Sequence, residues 1–294
     1  MKPEIVAIVG QTASGKSALA VEIAKKYNGE VVSADSRQVY KKLNIGTGKI
    51  TKKEMQGVPH HLLDVANPKN RFTVDLYKKM ADKIIADILN RGKLPILCGG
   101  TGFYLDAVIK NITLPDVPVN NILRKKLSKK TPAQLFSILK KVDPKRAQVI
   151  GEHNGVRLIR AIEIVKALGK VPPIESAPKY ETLTIGIETN KKILAEKIHT
   201  RLLSRIKQGM IREAKKLHAD GLTWKRMDDL GLEYRYLAQH LQGKITKQEM
   251  IEQLNREILQ YARRQAQWFS KNDKIKWLKR NDKKVYKLIS SFLK

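Results

Sequence analysis

Lys16 and Ser17 close an octapeptide, residues 10–17 (GQTASGKS), that matches the phosphate-loop pattern G-x-x-x-x-G-K-[ST]. Across Gly10, Gln11, Thr12, Ala13, Ser14 and Gly15 the backbone can curl around an anion, with successive N–H groups turned inward at a helix N-terminus. Lys16 adds a full positive charge, and the Ser17 hydroxyl is placed to ligate Mg²⁺. The loop therefore reads as a site for a phosphate, nucleotide or diphosphate. A second candidate is Asp35, which follows a second short strand expected over 30–34. A carboxylate at a strand's carboxyl end, one βα unit after a phosphate loop, lies on the ligand-binding edge of an open α/β sheet; the alternative is a helix N-cap, which Asp also favours. The third is Thr101, within the run Gly99-Gly100-Thr101-Gly102. It could donate a hydrogen bond to a phosphate oxygen or a substrate base, or it could cap a helix over 103–110.

These residues need strands and helices to position them. Ile5 to Val9 form an apolar, β-branched run of the kind buried in a parallel sheet, and Ala18, Leu19, Ala20, Ile23 and Ala24 read as the apolar side of a following helix. Residues 30–34, 94–98 and 182–187 predict further strands, and Leu76, Met80, Ile84, Ile85, Ile88 and Leu89 predict a core-packed helix over 72–90. The strand at 94–98 ends in glycines and a threonine, where many nucleotide hydrolases place an acidic Mg²⁺ ligand. Residues 41–71 read as loop; within them His60 and His61 are adjacent and point apart, so no metal site is expected there. From about 114 to 179 prolines punctuate short helical pieces that carry basic clusters, with Arg157 and Arg160 three apart on one helix side. The remainder predicts helix: one over 194–217 ended by Gly221, another over 251–268, and a basic tail from Lys271 holding Trp277 and Tyr286. The expected fold is α/β, a P-loop parallel sheet flanked by helices, with a helical insertion and a helical C-terminal part. Its domains are expected at 1–114, 115–180 and 181–294.

Charge narrows the partner class. The 294-residue chain holds 58 Lys and Arg against 28 Asp and Glu, a formal charge of +30, which calls for a polyanion, most simply nucleic acid. Cys98 is the only cysteine, so no intrachain disulfide can form and a reducing compartment fits. No apolar run approaches the ~20 residues of a membrane span, and the N-terminus lacks a signal-peptide pattern. A cytoplasmic protein is expected, with no membrane partner.

Taken in order, the pieces resemble the tRNA dimethylallyltransferase (tRNA isopentenyltransferase) family over almost the whole chain. The resemblance rests on GQTASGKS (10–17), SADSRQVY (33–40), IGTGK (45–49), PHHLLD (59–64), CGGTGFY (98–104) and VDP (142–144). It continues through RLIRAIEI (157–164), HTRLLSRI (199–206), LGLEYR (230–235) and YARRQAQWF (261–269). A phosphate loop alone is shared with many kinases; the loop followed by SADSxQVY and GGTxxY is far more specific. This sequence departs from the family in having Gly10-Gln11 where Gly-Pro is common, Ser17 for Thr, and Leu232-Glu233 where a Gly-Tyr step is frequent.

The resemblance implies transfer of a dimethylallyl group from its diphosphate to N6 of adenosine 37 in tRNA, by a monomer using Mg²⁺ at Ser17. Asp35 is implied as general base, with Lys16, Thr101 and Arg201 as further catalytic residues; Arg201 is preferred to Arg205 as the diphosphate-side arginine. Asp35, Ser36, Arg37, Gln38 and Thr101 are implied contacts of the target base and its neighbours. Arg124, Arg157, Arg160, Arg263 and Arg264 are implied to grip the anticodon stem-loop. The competing readings are a P-loop phosphotransferase using ATP and a non-catalytic RNA binder.

Overall fold

In the computed structural model, residues 2–173 and 175–294 are described. Six strands form one parallel sheet in the order β3-β2-β4-β1-β5-β6: β1 (Glu4–Val9), β2 (Gly29–Ser33), β3 (His60–His61), β4 (Leu94–Gly99), β5 (Glu181–Glu188) and β6 (Lys276–Lys279). The central strand β1 is apolar on both faces because helices cover both. Ile5, Ala7 and Val9 join one core and Val6 and Ile8 the other, the period of two that a strand imposes.

On one side the core is completed by α3 (Val74–Asn90) through Tyr77, Ala81, Ile85 and Ile88, and by α4 (Gly102–Ile109) through Tyr104, Leu105 and Val108. The opposite core takes Leu19, Ala20 and Ile23 of α1 (Lys16–Lys26) and Val285 and Ile289 of α14 (Lys284–Phe292). A further apolar cluster is built by α9 (Lys191–Gln208), α10 (Met210–Ala219), α11 (Trp224–Leu230), α12 (Leu232–Leu241) and α13 (Lys247–Phe269) around Val39, Tyr40 and Leu43.

The chain divides into two compact units, one built from the residues up to Asn111 together with Pro178–Lys294, the other from Ile112–Ala177. Within the second, α5 (Asn121–Leu127), α6 (Pro132–Val142), α7 (Pro144–Ile150) and α8 (Gly155–Leu168) enclose their own core of Leu127, Leu135, Leu139, Leu158 and Ile162. An antiparallel bridge between Ile112 and Ser176 closes it. No helix among the described residues is long and apolar enough to cross a membrane.

Four local expectations are corrected. The basic tail is not wholly helical: residues 276–279 form β6 beside β5, with Trp277 opposite Gly186, whose missing side chain makes room for the indole. The helix expected over 194–217 breaks at Gly209, where φ of +106° sits in the left-handed region and starts α10 in a new direction. The 41–71 segment contains α2 (Lys52–Met55), started by a Thr51/Glu54 capping box, and the edge strand β3. Ala18 is exposed, one position off the buried stripe of Leu19, Ala20 and Ile23.

Candidate active site

Parallel strands deliver their carboxyl ends to one sheet edge, and here three adjacent strands deliver the three loops that carry chemistry. Val9 of β1 pairs with Gly99 of β4, and Ser33 of β2 pairs with Cys98. The loops are then stitched together: Ala34 N–H donates to Cys98 O (2.8 Å) and Thr101 N–H to Ala34 O (3.1 Å). Gly99 must be glycine, since a Cβ there would lie 2.1 Å from Ala34 O.

In the phosphate loop Gly10, Ala13 and Gly15 take positive φ of 141°, 61° and 94°. Gly15 is the N-cap of α1 and offers no side-chain cap, so the first N–H groups of that helix stay open to an anion. Lys16 Nζ donates to Gln11 O (2.5 Å), which folds the side chain back over the loop. Burial lowers the Lys16 ammonium to about 8; Cys98 and Asp35 oppose that shift, and Arg201 adds to it. The same four groups therefore share one electrostatic environment. Ser14 Oγ is buried in the loop without a protein partner, as expected of a cradle built for phosphate oxygens. Ser17, in the first turn of α1, is exposed. A serine hydroxyl completed by diphosphate oxygens and water is an ordinary Mg²⁺ donor set, so these residues fit the ion.

Asp35 is not a helix cap, because residues 36–39 form a turn and no helix follows. Its Oδ1 accepts from Arg37 N–H (2.8 Å) and Gln38 N–H (3.2 Å), which fixes the carboxylate in place and leaves Oδ2 outside those two bonds. Thr101 occupies the N-cap position of α4 but makes no side-chain cap bond. Instead its Oγ1 accepts from Ser36 N–H (3.0 Å) and approaches Ser36 Oγ (3.3 Å), close enough to the Tyr261 phenol to influence it. The Tyr261 phenol is itself pushed up to about 12, chiefly by burial and next by the charge of Asp35.

The two candidate arginines on α9 separate cleanly. Arg205 Nη1 is shared between Gly46 O and Glu233 Oε1, both at 3.3 Å. Arg201 lies beside Ala13 of the phosphate loop on a cavity of ≈ 360 Å³, which Ile193, Glu196, Lys197 and Thr200 also line. Arg201 is lowered from its usual range by its enclosed surroundings and by Arg205, yet a guanidinium stays charged. Arg201→Ala is accordingly expected to raise the KM for a diphosphate substrate at least tenfold; Arg205→Ala should instead lower the melting temperature, which thermal denaturation reads.

Several further residues of this edge have partners that the motifs do not show. Glu213 of α10 accepts the backbone N–H groups of Asn44 (3.0 Å), Ile45 (2.7 Å) and Gly46 (3.0 Å), and the Tyr234 hydroxyl (2.8 Å), which holds the 44–49 loop. Gln38 Nε2 reaches Gly48 O of that loop at 3.5 Å. Glu233 is buried and its carboxyl is raised by that burial, while Leu232 before it sits at φ +39° where glycine would be unstrained. On α13, Gln265 accepts Thr12 N–H on Oε1 (2.7 Å) and donates from Nε2 to Gly100 O (2.9 Å). The signal was the Tyr261–Gln265 spacing of one helical turn, on the side of α13 away from exposed Arg263. Arg264 lies 5.9 Å from the Tyr261 ring centroid.

In the helical unit the basic residues do not act alike. Arg124 (Nε to Oε1, 2.9 Å; Nη2 to Oε2, 2.7 Å) and Arg160 (Nη1 to Oε2, 2.5 Å) are both committed to the buried carboxylate of Glu163. Arg160 also donates to Val117 O (2.9 Å). Both guanidiniums stay partly exposed while they pair inside the unit, because a buried acid requires partners. Arg157 is exposed. His61 is likewise structural: with Arg91 and Lys93 it surrounds the buried Glu30, which those partners hold well below the usual carboxylate range.

Comparison with known proteins adds a second line of observation. A family model described as IPP transferase matches residues 38–272. The chain is 40% identical to the tRNA dimethylallyltransferase of Caldanaerobacter subterraneus over 97% of this chain and 95% of that protein. It is 42% identical to tRNA dimethylallyltransferase 2 of Treponema denticola, over 94% and 96%. Among solved structures, the full-length tRNA isopentenylpyrophosphate transferase of Bacillus halodurans superimposes with a TM-score of 0.76 at 36% identity, covering 99% of this chain and 97% of that one. A eukaryotic dimethylallyltransferase acting on tRNA gives 0.81 at 26% identity, over 95% of this chain and 74% of that one.

Proposed function

The chain belongs to the IPP transferase family of tRNA dimethylallyltransferases, and from that premise we propose how its own residues transfer the dimethylallyl group to N6 of adenosine 37 in tRNA. The observation that carries the reading is the convergence of Lys16, Asp35, Thr101 and Arg201 on the edge formed by β1, β2 and β4.

The donor's diphosphate sits at the N-terminus of α1, against the open N–H groups of residues 15–17, with Lys16 and Arg201 supplying charge. Mg²⁺ bound through Ser17 would supply Lewis-acid stabilisation of the same oxygens. In the reaction the bond from the allylic carbon to the diphosphate oxygen breaks and its electron pair leaves with the diphosphate. The N6 lone pair forms the new carbon–nitrogen bond, and the N6 proton passes to the Asp35 carboxylate. Charge develops at the two ends of this step, on the diphosphate and at N6, and the cations and Asp35 are fixed at those ends beforehand. The Thr101 hydroxyl is held by the Ser36 N–H, on the turn that carries Asp35. An adenine must leave its stack to reach such an edge, and the Gln38 carboxamide has the donor–acceptor pair that suits an adenine edge.

Incubation of the protein with labelled dimethylallyl diphosphate and unmodified tRNA, followed by nucleoside analysis, tests the reading. Label in N6-modified adenosine at position 37 is the expected result; label elsewhere, or none, overturns it. Salt-dependent tRNA affinity should follow from pairing of exposed Arg157, Arg263 and Arg264 with RNA phosphates. Replacing all three with Ala is expected to flatten the slope of log K against log salt by about 2 to 3, at roughly 0.7–0.9 for each phosphate no longer neutralised, in filter-binding titrations.

A further inference from the structure

A single side chain joins the two loops that flank the reaction. Gln265 is 5% exposed, and both ends of its carboxamide are used: Oε1 takes the Thr12 N–H of the phosphate loop and Nε2 gives to Gly100 O, one residue before Thr101. The fit leaves no slack. A Cβ on Gly100 would lie 2.2 Å from Gln265 Nε2, and one on Gly102 would lie 2.2 Å from Trp268 Cδ1, one helical turn further along α13. Neither glycine has positive φ, so close approach of α13 is what requires them. Nearby, Gln11 Nε2 donates to Ala262 O (3.0 Å), a second tie between the phosphate loop and the same helix. Thr12 N–H is thereby spent on the protein, while the N–H groups at the start of α1 stay open to the anion.

Resting on the proposed transfer reaction, the structure assigns Gln265 as a positioning residue that sets the distance between the leaving diphosphate and the turn carrying Asp35 and Ser36. It touches neither substrate. It acts through Thr12 on the donor side, and on the acceptor side through Gly100 and the Thr101 hydroxyl that holds Ser36. Catalysis tolerates little error in such a separation, since a displacement of about 1 Å can cost about a hundredfold.

Two variants test the assignment. Gln265→Glu keeps the side-chain shape and the acceptor for Thr12, but sets a carboxylate oxygen against the Gly100 carbonyl. Gly100→Ala displaces the carboxamide sterically and adds no charge. At pH 8 both are expected to raise the KM for dimethylallyl diphosphate about tenfold or more and to lower kcat by a similar factor, with tRNA affinity changed less than twofold. Gln265→Glu carries a further signature. A protonated carboxyl again offers one acceptor and one donor, so its activity relative to wild type should recover several-fold between pH 8 and pH 6, whereas Gly100→Ala should show no recovery.

Calorimetric binding of inorganic diphosphate with Mg²⁺ reads the donor side without prenyl transfer: weaker in Gln265→Glu at pH 8, restored at pH 6. Unchanged donor KM and diphosphate affinity in folded variants would overturn the assignment, as would a loss confined to tRNA affinity or a folded Gln265→Glu that does not recover at pH 6. If wild type bound diphosphate in this way but failed to alkylate tRNA, the reaction assignment would fall while the Thr12 tie to Gln265 stood.

Discussion

Asp35→Asn is expected to lower kcat by about 10²- to 10⁴-fold, the range for loss of a positioned general base, with tRNA affinity within about threefold of wild type. Asparagine is the informative substitution because its Oδ1 can still accept the N–H groups of Arg37 and Gln38 that shape the turn. It removes the proton acceptor and keeps the geometry. Asp35→Ala removes both, and should add a stability loss of about 1 kcal/mol, the usual net value of an intramolecular hydrogen bond. Single-turnover rates with enzyme in excess, alongside filter binding, separate chemistry from binding. A kcat near wild type in Asp35→Asn would remove Asp35 from the mechanism.

Lys16→Met should be still more severe for the donor. It is expected to abolish measurable affinity for dimethylallyl diphosphate and to make the free protein more stable at pH 7, by up to about 3 kcal/mol. The sign follows from the direction of the shift. Burial lowers the Lys16 ammonium from 10.5 to about 8, so the folded chain binds fewer protons than the unfolded one between those values. Below pH 8 the folded state carries the full cost of a desolvated charge; above it that cost fades until pH passes 10.5. Removing the ammonium removes the cost, so thermal melts of wild type and variant should differ most at pH 7 and converge toward pH 10.5. Donor affinity in wild type should run the other way, weakening as pH rises through about 8, because the neutral amine no longer attracts the diphosphate. The site thus holds a destabilising charge that its anionic ligand neutralises.

What could be read from the chain tracks how local each feature is. The phosphate loop is legible because its conformation depends on glycines and a lysine at fixed spacing within eight residues. Asp35 and Thr101 are legible as strand-end residues, but their hydroxyl and carboxylate partners are not. Whether Thr101 caps α4 or binds Ser36 depends on how β2 and β4 stand side by side. Gln265 shows in sequence only as a motif residue one turn from Tyr261; what it binds does not show, because its partners are backbone groups 253 and 165 positions away. The partner of Arg124 and Arg160 is hidden for a similar reason: basic clusters advertise charge, while nothing local to the sequence shows that Glu163 is buried. The short strand β6 is hidden because Lys276 and Lys279 flank half-buried Trp277 and Leu278 over only four residues, too short a span to distinguish from a helix end.

The strand order has a consequence during synthesis. The central strand β1 is made first, yet it completes its pairing only with β5, after the whole helical unit has been translated. The roughly 90 residues between β4 and the end of β5 take about 5–20 s to emerge at typical elongation rates. Through that interval one edge of the nascent sheet is unpaired and apolar, a state prone to association with other strands. The segment made meanwhile is a compact unit of four short helices with their own core, and such helical units fold on a far shorter timescale. A fast-folding element thus fills the gap in the chain, while the exposed edge of β1 waits on the ribosome, the stage at which chaperone demand for this protein should be greatest.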